Sequence, residues 1–247
     1  TIRGTCTRPP PCGCDVDCVE PDTEPEIDVP ACPDSIVYTA PDSYVVDIGE
    51  SECDVRVHLW GAGGGGGTAP GGGGAFAVVE VDPPATLALV VGGGGGGGLP
   101  PDGAGGGGGA SWAAIPQVRY IGVAGGGGGG GGTAGLPGQS GGCCVSAGDS
   151  APPNALGGAG GFGPSAVGGT GGLAGGGGGG SPGAPSGGGA TGGAGGGSIT
   201  EAGTVDNGEG QQPARSTQSD GSGWGGDAFS MGAPGRVEIR FTAPSLE

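Results

Sequence analysis

Val55-Arg56-Val57-His58-Leu59-Trp60-Gly61-Ala62, followed by Gly63–Gly67, is the stretch on which the fold turns. Val55, Val57 and Leu59 alternate with Arg56 and His58, the two-residue period of a strand with one buried face. Trp60 closes that strand and a glycine tract opens at once. The same succession, apolar alternation and then glycine, recurs at 87–98 and 118–132. The sequence therefore predicts strands that run directly into polyglycine.

Composition limits what can be built around them. Of 247 residues, 73 are Gly and 23 are Pro, and only 4% are aromatic. An ordinary domain holds about 7% Gly. One small β core from the alternating segments is expected, and a large side-chain core is excluded. Ordering so many glycines costs on the order of 100 kcal/mol of backbone entropy, and glycine has no side chain whose burial offsets it. Either the tracts are disordered linker, or their backbone groups bond to one another in a packed array. Such an array consists of extended helices of polyproline-II type, about three residues per turn, lying side by side where glycine permits close approach. Collagen is excluded, because it needs glycine at every third position without interruption. Here homopolymeric runs such as 92–98 and 125–132 are broken by apolar strands. Further runs at 61–67, 105–109 and 175–180 have similar lengths and predict back-and-forth packing.

The formal net charge is −17, from 24 acidic residues against 7 basic ones, all of them Arg. Nucleic-acid binding needs a cationic face, so no nucleic-acid partner is expected. No apolar run approaches the roughly 18 residues of a transmembrane helix, and no membrane insertion is expected. Eight Cys in so polar a chain point to an oxidising compartment. The expected location is extracellular, at a cell surface or on a virion.

Residues 1–34 form a Cys- and Pro-rich head without hydrophobic period. It carries Cys6, Cys12, Cys14, Cys18 and Cys32, and is expected to be a disulfide-stapled cap or docking arm. The spacing of Cys12, Cys14 and Cys18 imitates a zinc site, but no His lies nearby and disulfides are the expected state. Cys32 and Cys53 flank the first two strands and could bridge head to sheet. Cys143 and Cys144 are adjacent. A vicinal bridge is strained, so each is expected to reach a different Cys. Residues 35–243 form the main unit and 244–247 a tail. Strands are expected at Ile36–Thr39, Tyr44–Ile48, Cys53–Trp60, Ala75–Val81, Leu87–Val91, Val118–Val123 and Arg236–Thr242. No segment has helical period, and Gly and Pro interrupt every candidate. Residues 124–235 read as a long low-complexity insertion between two strands.

The order Leu59-Trp60-Gly61-Ala62-Gly63-Gly64, Gly73-Gly74-Ala75-Phe76 and Leu87-Ala88-Leu89-Val90-Val91-Gly92-Gly93 resembles the glycine-rich domains of bacterial secreted and phage tail proteins. Tyr120–Gly132 and Gly235-Arg236-Val237-Glu238-Ile239 continue the likeness. The layout is also similar to the extracellular glycine-rich region of the anaplastic lymphoma kinase and leukocyte tyrosine kinase receptors. The resemblance covers about residues 35–243. It implies an all-β fold: a small jelly-roll or tumour-necrosis-factor-like sandwich with an inserted bundle of polyglycine-II helices. In phage adhesins of this composition it implies binding loops at the distal tips of the tracts. The Cys-rich head departs from the common phage pattern.

Catalytic and cofactor motifs fail on their own chemistry. Gly61-Ala62-Gly63-Gly64-Gly65-Gly66 with Glu80 imitates a dinucleotide fingerprint, but that site needs a helix after the glycines. Thr68-Ala69-Pro70-Gly71 cannot start one. A phosphate loop needs Lys. His58, the only His, falls on the polar face of its strand, with nothing to support a triad. No carboxylate pair stands out. Gly221–Phe229 has a calcium-repeat flavour but occurs once, and Asp15, Asp17 and Glu20 read as a solvated charge run. No cofactor, metal or enzymatic activity is expected. Trp60, Trp112 and Trp224 are expected as structural anchors, the last two sealing the ends of the bundle. The expected function is that of a self-assembling structural subunit of a filament, appendage or virion surface. The alternative is an adhesin that presents loops such as 133–153 and 200–223 to a surface receptor or glycan.

Overall fold

Alternation in the sequence becomes two packed sheets. The computed structural model describes residues 32–100, 103–131, 142–143, 197–200, 203–214 and 221–244, all within the unit Ala31–Glu247. The strands are β1 (Ile36–Tyr38), β2 (Ser43–Ile48), β3 (Asp54–Trp60), β4 (Phe76–Val81), β5 (Ala85–Val90), β6 (Ser111–Ile115), β7 (Arg119–Ala124), β8 (Gly142–Cys143), β9 (Gly197–Thr200), β10 (Val205–Asp206) and β11 (Arg236–Thr242). Among the described residues there is no helix. Each expected strand is found within a residue or two of its expected bounds. β6, β8, β9 and β10 are additional, and the last three lie inside the 124–235 segment.

One sheet has the order β1-β11-β3-β4-β10 and the other β2-β5-β6-β7-β9-β8. Pairing is antiparallel except for the short β8–β9 contact. The two inner faces meet in one core. Val55, Val57 and Leu59 of β3, Ala77, Val79 and Val81 of β4, and Val237 and Ile239 of β11 face Leu87 and Leu89 of β5, Ala113 of β6 and Ile121 of β7. These are the alternate residues of each strand, so the two-residue period alone selects them. A small residue is required where the sheets approach most closely: a Cβ on Gly122 of β7 would overlap the Val79 side chain.

At one end of the sandwich the strands stop and the glycine tracts begin. The β3–β4 ladder runs on through Gly61, whose N–H donates to the Ala75 carbonyl at 2.9 Å. At Ala62 the donor turns away, to the Gly109 carbonyl at 3.0 Å. From there on the chain is no longer part of either sheet.

Candidate functional site

The tracts form a lattice with the 61–67 thread at its centre. Its amides point in three directions in turn. Gly61 and Gly64 donate to Ala75 and Gly72 of the 71–75 thread. Ala62 and Gly65 donate to Gly109 and Gly106 of the 103–110 thread, and Gly63 and Gly66 to Ala233 and Ser230 of the 230–235 thread. Its carbonyls point in three other directions with the same period. Ala62 and Gly65 accept from Gly127 and Gly130, Gly63 and Gly66 from Gly95 and Gly98, and Gly64 and Gly67 from Gly226 and Phe229. All twelve bonds measure 2.8–3.0 Å, the strong range for N–H to O. Three neighbours accept from the central thread and three donate to it, so every amide and carbonyl from Ala62 to Gly66 is satisfied without a sheet or a helix.

The same geometry explains the residue type. A Cβ on Gly61 or Gly64 would overlap the carbonyls of Gly125 or Gly128. On Gly63 or Gly66 it would overlap those of Trp224 or Asp227, and on Gly65 that of Gly96. What a side chain would meet is backbone, which cannot rotate aside.

Two serines join lattice to sandwich. Ser111, fully buried at the start of β6, accepts from the Gly92 amide at 3.0 Å and donates to the Trp60 carbonyl at 2.6 Å. Ser198, fully buried in β9, accepts from the Gly125 amide at 2.9 Å. Gly92 and Gly125 are the first residues of their tracts after β5 and β7. Each hydroxyl supplies the acceptor that the ladder no longer offers.

The outer face of the β3–β4–β11 sheet carries a second cluster. Trp60 and Phe76 pack at 4.7 Å between ring centroids, His58 lies 5.6 Å from Phe76, and the Arg236 guanidinium stands 5.5 Å over the Trp60 ring. Ala214 joins this buried group. Glu238, 7% exposed in its side chain, is paired to Arg240 at 2.8 Å and to Arg236 at 3.0 Å. Burial pushes the Glu238 carboxyl up. Hydrogen bonds from Arg240 and Arg236, with the charges of both, outweigh that and hold it below the usual carboxylate range. Arg56 and Glu80, directly opposite on β3 and β4, pair at 3.1 Å in solvent. The face thus carries three arginines paired to two glutamates.

The far end of the lattice is formed by the chain at 67–71, 98–100 and 227–231. Phe229 there has φ of +58°, a left-handed conformation that is costly for a bulky residue. Its amide closes the lattice on Gly67. Leu99 and Met231, near the same end, are 60% and 72% exposed. The chain, compared with known proteins, matches no family model and no curated protein.

The expected site residues divide as follows. Cys32 and Cys53 form a disulfide, as their positions beside the first strands allowed. Cys6, Cys12, Cys14, Cys18 and Cys144 lie outside the described residues, as does the side chain of Cys143, whose backbone forms part of β8. Trp60 anchors the aromatic cluster. Trp112, expected to seal the bundle, stands instead on β6 against Tyr120 at 5.1 Å, because Ser111–Ile115 is a strand. Trp224 belongs to the lattice through its backbone, accepting from the Ala233 amide. Of the expected tip loops, 133–153 lies outside the described residues except for β8, and 200–223 contributes β10. His58, read as solvated, is half-buried against aromatic rings. Among the described residues no three metal-ligating side chains come together. Sequence reasoning missed Ser111, Ser198 and the role of Glu238. For Glu238 the signal was there: Arg236, Glu238 and Arg240 alternate with Val237 and Ile239, so all three charges share one face.

Proposed function

We propose that the chain is a non-enzymatic extracellular structural subunit whose rigid element is a bundle of polyglycine-II helices carried on a jelly-roll-type sandwich, and that its partner is itself. The observation that carries this reading is the central 61–67 thread, bonded to six neighbouring segments at a period of three residues. That period is the one expected of the polyglycine-II conformation. A backbone satisfied in every direction resists extension and solvent without a large core, which is what a filament or surface layer asks of its subunit. The crossing of successive strands between sheets supports the sandwich type, and the chain would then belong with the secreted and phage tail proteins that its sequence resembles. Eight Cys and the Cys32–Cys53 bridge favour an oxidising, extracellular setting. Electron microscopy of the purified full chain tests the reading. Ordered filaments or sheets are expected, and a monodisperse population of single particles at every concentration and ionic condition would overturn it.

One observation favours the second reading, an adhesin. Phe229, with its left-handed backbone, lies at the tip of the bundle near exposed Leu99 and Met231, and strained and apolar residues tend to mark contact sites. Replacing Phe229 with Gly relieves the strain and removes the ring. Loss of surface attachment with unchanged or higher stability supports the adhesin, and unchanged attachment removes it.

A further inference from the structure

We infer that β2 is a self-association edge at which a second copy of this chain adds its own β2, antiparallel and centred on Val45. The inference rests on the reading of the chain as a self-assembling subunit and names the contact. Among the described residues β2 is the terminal strand of its sheet and pairs only with β5. The Val91 amide donates to the Asp42 carbonyl, which fixes the alternation: Asp42, Tyr44, Val46 and Ile48 bond inward to β5. The amides and carbonyls of Ser43, Val45 and Asp47 therefore face away from the sheet. The Ser43 amide is held locally by the Asp42 carboxylate at 2.8 Å, an exchangeable bond at the strand's start.

Exposed apolar residues gather at the same margin. Val45 is 74% exposed, and Ile36 and Val37 on β1 are also exposed. Between the β1 and β2 edges opens a cleft of ≈ 290 Å³ lined by Ile36, Val46, Ile48 and Phe241, with Asp47 and Glu50 at its rim. Edge strands are normally guarded by Lys, Pro or a bulge. Ser43–Ile48 contains neither residue and no register shift, and its one charge, Asp47, accepts a hydrogen bond from the Thr86 hydroxyl of β5 at 2.7 Å.

The strand is chemically self-complementary, and this selects a second copy as the occupant. Antiparallel pairing about Val45 places Val45 opposite Val45, Ser43 opposite Asp47, and Tyr44 opposite Val46. A hydroxyl meets a carboxylate, valine meets valine, and no carboxylate faces another. The Tyr44 ring of the second copy arrives beside Val46, at the mouth of the apolar cleft. An interface of this kind is isologous, the same patch used twice, and gains its hydrogen bonds by strand addition.

Sedimentation velocity of the full chain over a broad concentration range tests the contact. The wild type is expected to pass from monomer to dimer as the first step of its assembly. Val45→Lys places like charges face to face at the two-fold axis and is expected to weaken dimerisation about tenfold or more. Val118→Lys, at a residue 70% exposed on the β6–β7 turn, is expected to leave it unchanged. Hydrogen exchange at single residues gives a second readout. The Val45 and Asp47 amides should slow with rising concentration in the wild type and not in Val45→Lys. A wild type of constant mass, or equal effects of the two lysines, overturns the inference. Filaments that persist in Val45→Lys overturn it while leaving the structural-subunit reading intact. A Val45-dependent dimer without filaments does the reverse.

Discussion

The sandwich and the glycine bundle solve the same problem with opposite materials. In the sandwich, backbone groups pair along strands, and the sheets are held together by side chains: Leu59, Val79, Leu87, Leu89 and Ile239 are wholly or almost wholly removed from water. In the bundle, glycine predominates and adjacent threads are held by the backbone itself. The sandwich can tolerate a change of shape in a residue, because neighbouring side chains repack. The bundle has nothing that can repack. Alanine fits at positions such as Ala62 and Ala104, both fully buried, but at Gly61, Gly63, Gly64, Gly65 and Gly66 a single methyl group would meet backbone.

The largest expected effect breaks that comparison at its centre. Gly64→Val drives a branched side chain into the Gly128 carbonyl and is expected to cost at least about 4 kcal/mol. A Cβ added at Gly49, between β2 and β3, meets nothing within 4 Å. Gly49→Ala is expected to be neutral or to stabilise by about 0.5 kcal/mol through the unfolded state. Chemical denaturation measures both. Hydrogen exchange in Gly64→Val sharpens the contrast: if amides of 92–98 and 125–131 exchange fast while β3 and β5 stay protected, the two regions are separate cooperative units. If all exchange together, the division into two regions is only geometric.

Next in size is the matching change in the sandwich. Leu59→Ala removes a fully buried side chain and is expected to cost about 3 kcal/mol, from lost burial and the cavity left behind. Its effect on exchange should fall on β3, β4 and β11. Equal disruption of the glycine amides would mean that the lattice depends on the core for its order.

At the seam between the regions, Ser111→Ala leaves the Gly92 amide and the Trp60 carbonyl without their hydroxyl partner. The expected cost is about 1–3 kcal/mol, read by denaturation, with faster exchange at Gly92 as the local signature. Ser111→Thr keeps the hydroxyl and should recover part of the loss.

The two regions were also unequally legible in the sequence. Strands β3, β4, β5 and β11 were readable because apolar and polar residues alternate in them with period two. The bundle was readable only as an alternative to disorder. The partner of each thread residue rotates every three positions, yet the residue itself does not change, so a homopolymer writes no trace of its contacts. β6 was missed because Ser111-Trp112-Ala113-Ala114-Ile115 has small residues at most of its positions and follows Ala110 at the end of a glycine tract. Ser111 and Ser198 were missed for a physical reason. A serine at the edge of a glycine-rich tract reads as loop, and only the three-dimensional seam reveals an amide that has lost its ladder.

The smallest expected effect tests the outer face of the sandwich, where Arg236, Glu238 and Arg240 pair along a single strand, β11. Glu238 has a folded-state pKa below its ordinary value of 4.5, held there by Arg240 and Arg236 against the opposing effect of burial. Its contribution to stability is therefore complete above about pH 4.5 and is lost as the pH falls through the lower folded value. Glu238→Gln removes the carboxylate and leaves two guanidinium groups with a neutral neighbour. The variant should be less stable than the wild type at pH 7 by roughly 1 kcal/mol, solvent beside Arg240 screening part of the pair. That gap should close as the pH drops, because acid protonates the wild type into an equivalent state. Denaturation midpoints from pH 7 to pH 2 decide it. A gap that stays constant would mean that the carboxylate acts by shape and hydrogen bonding alone, and that sandwich and bundle alike owe nothing to charge.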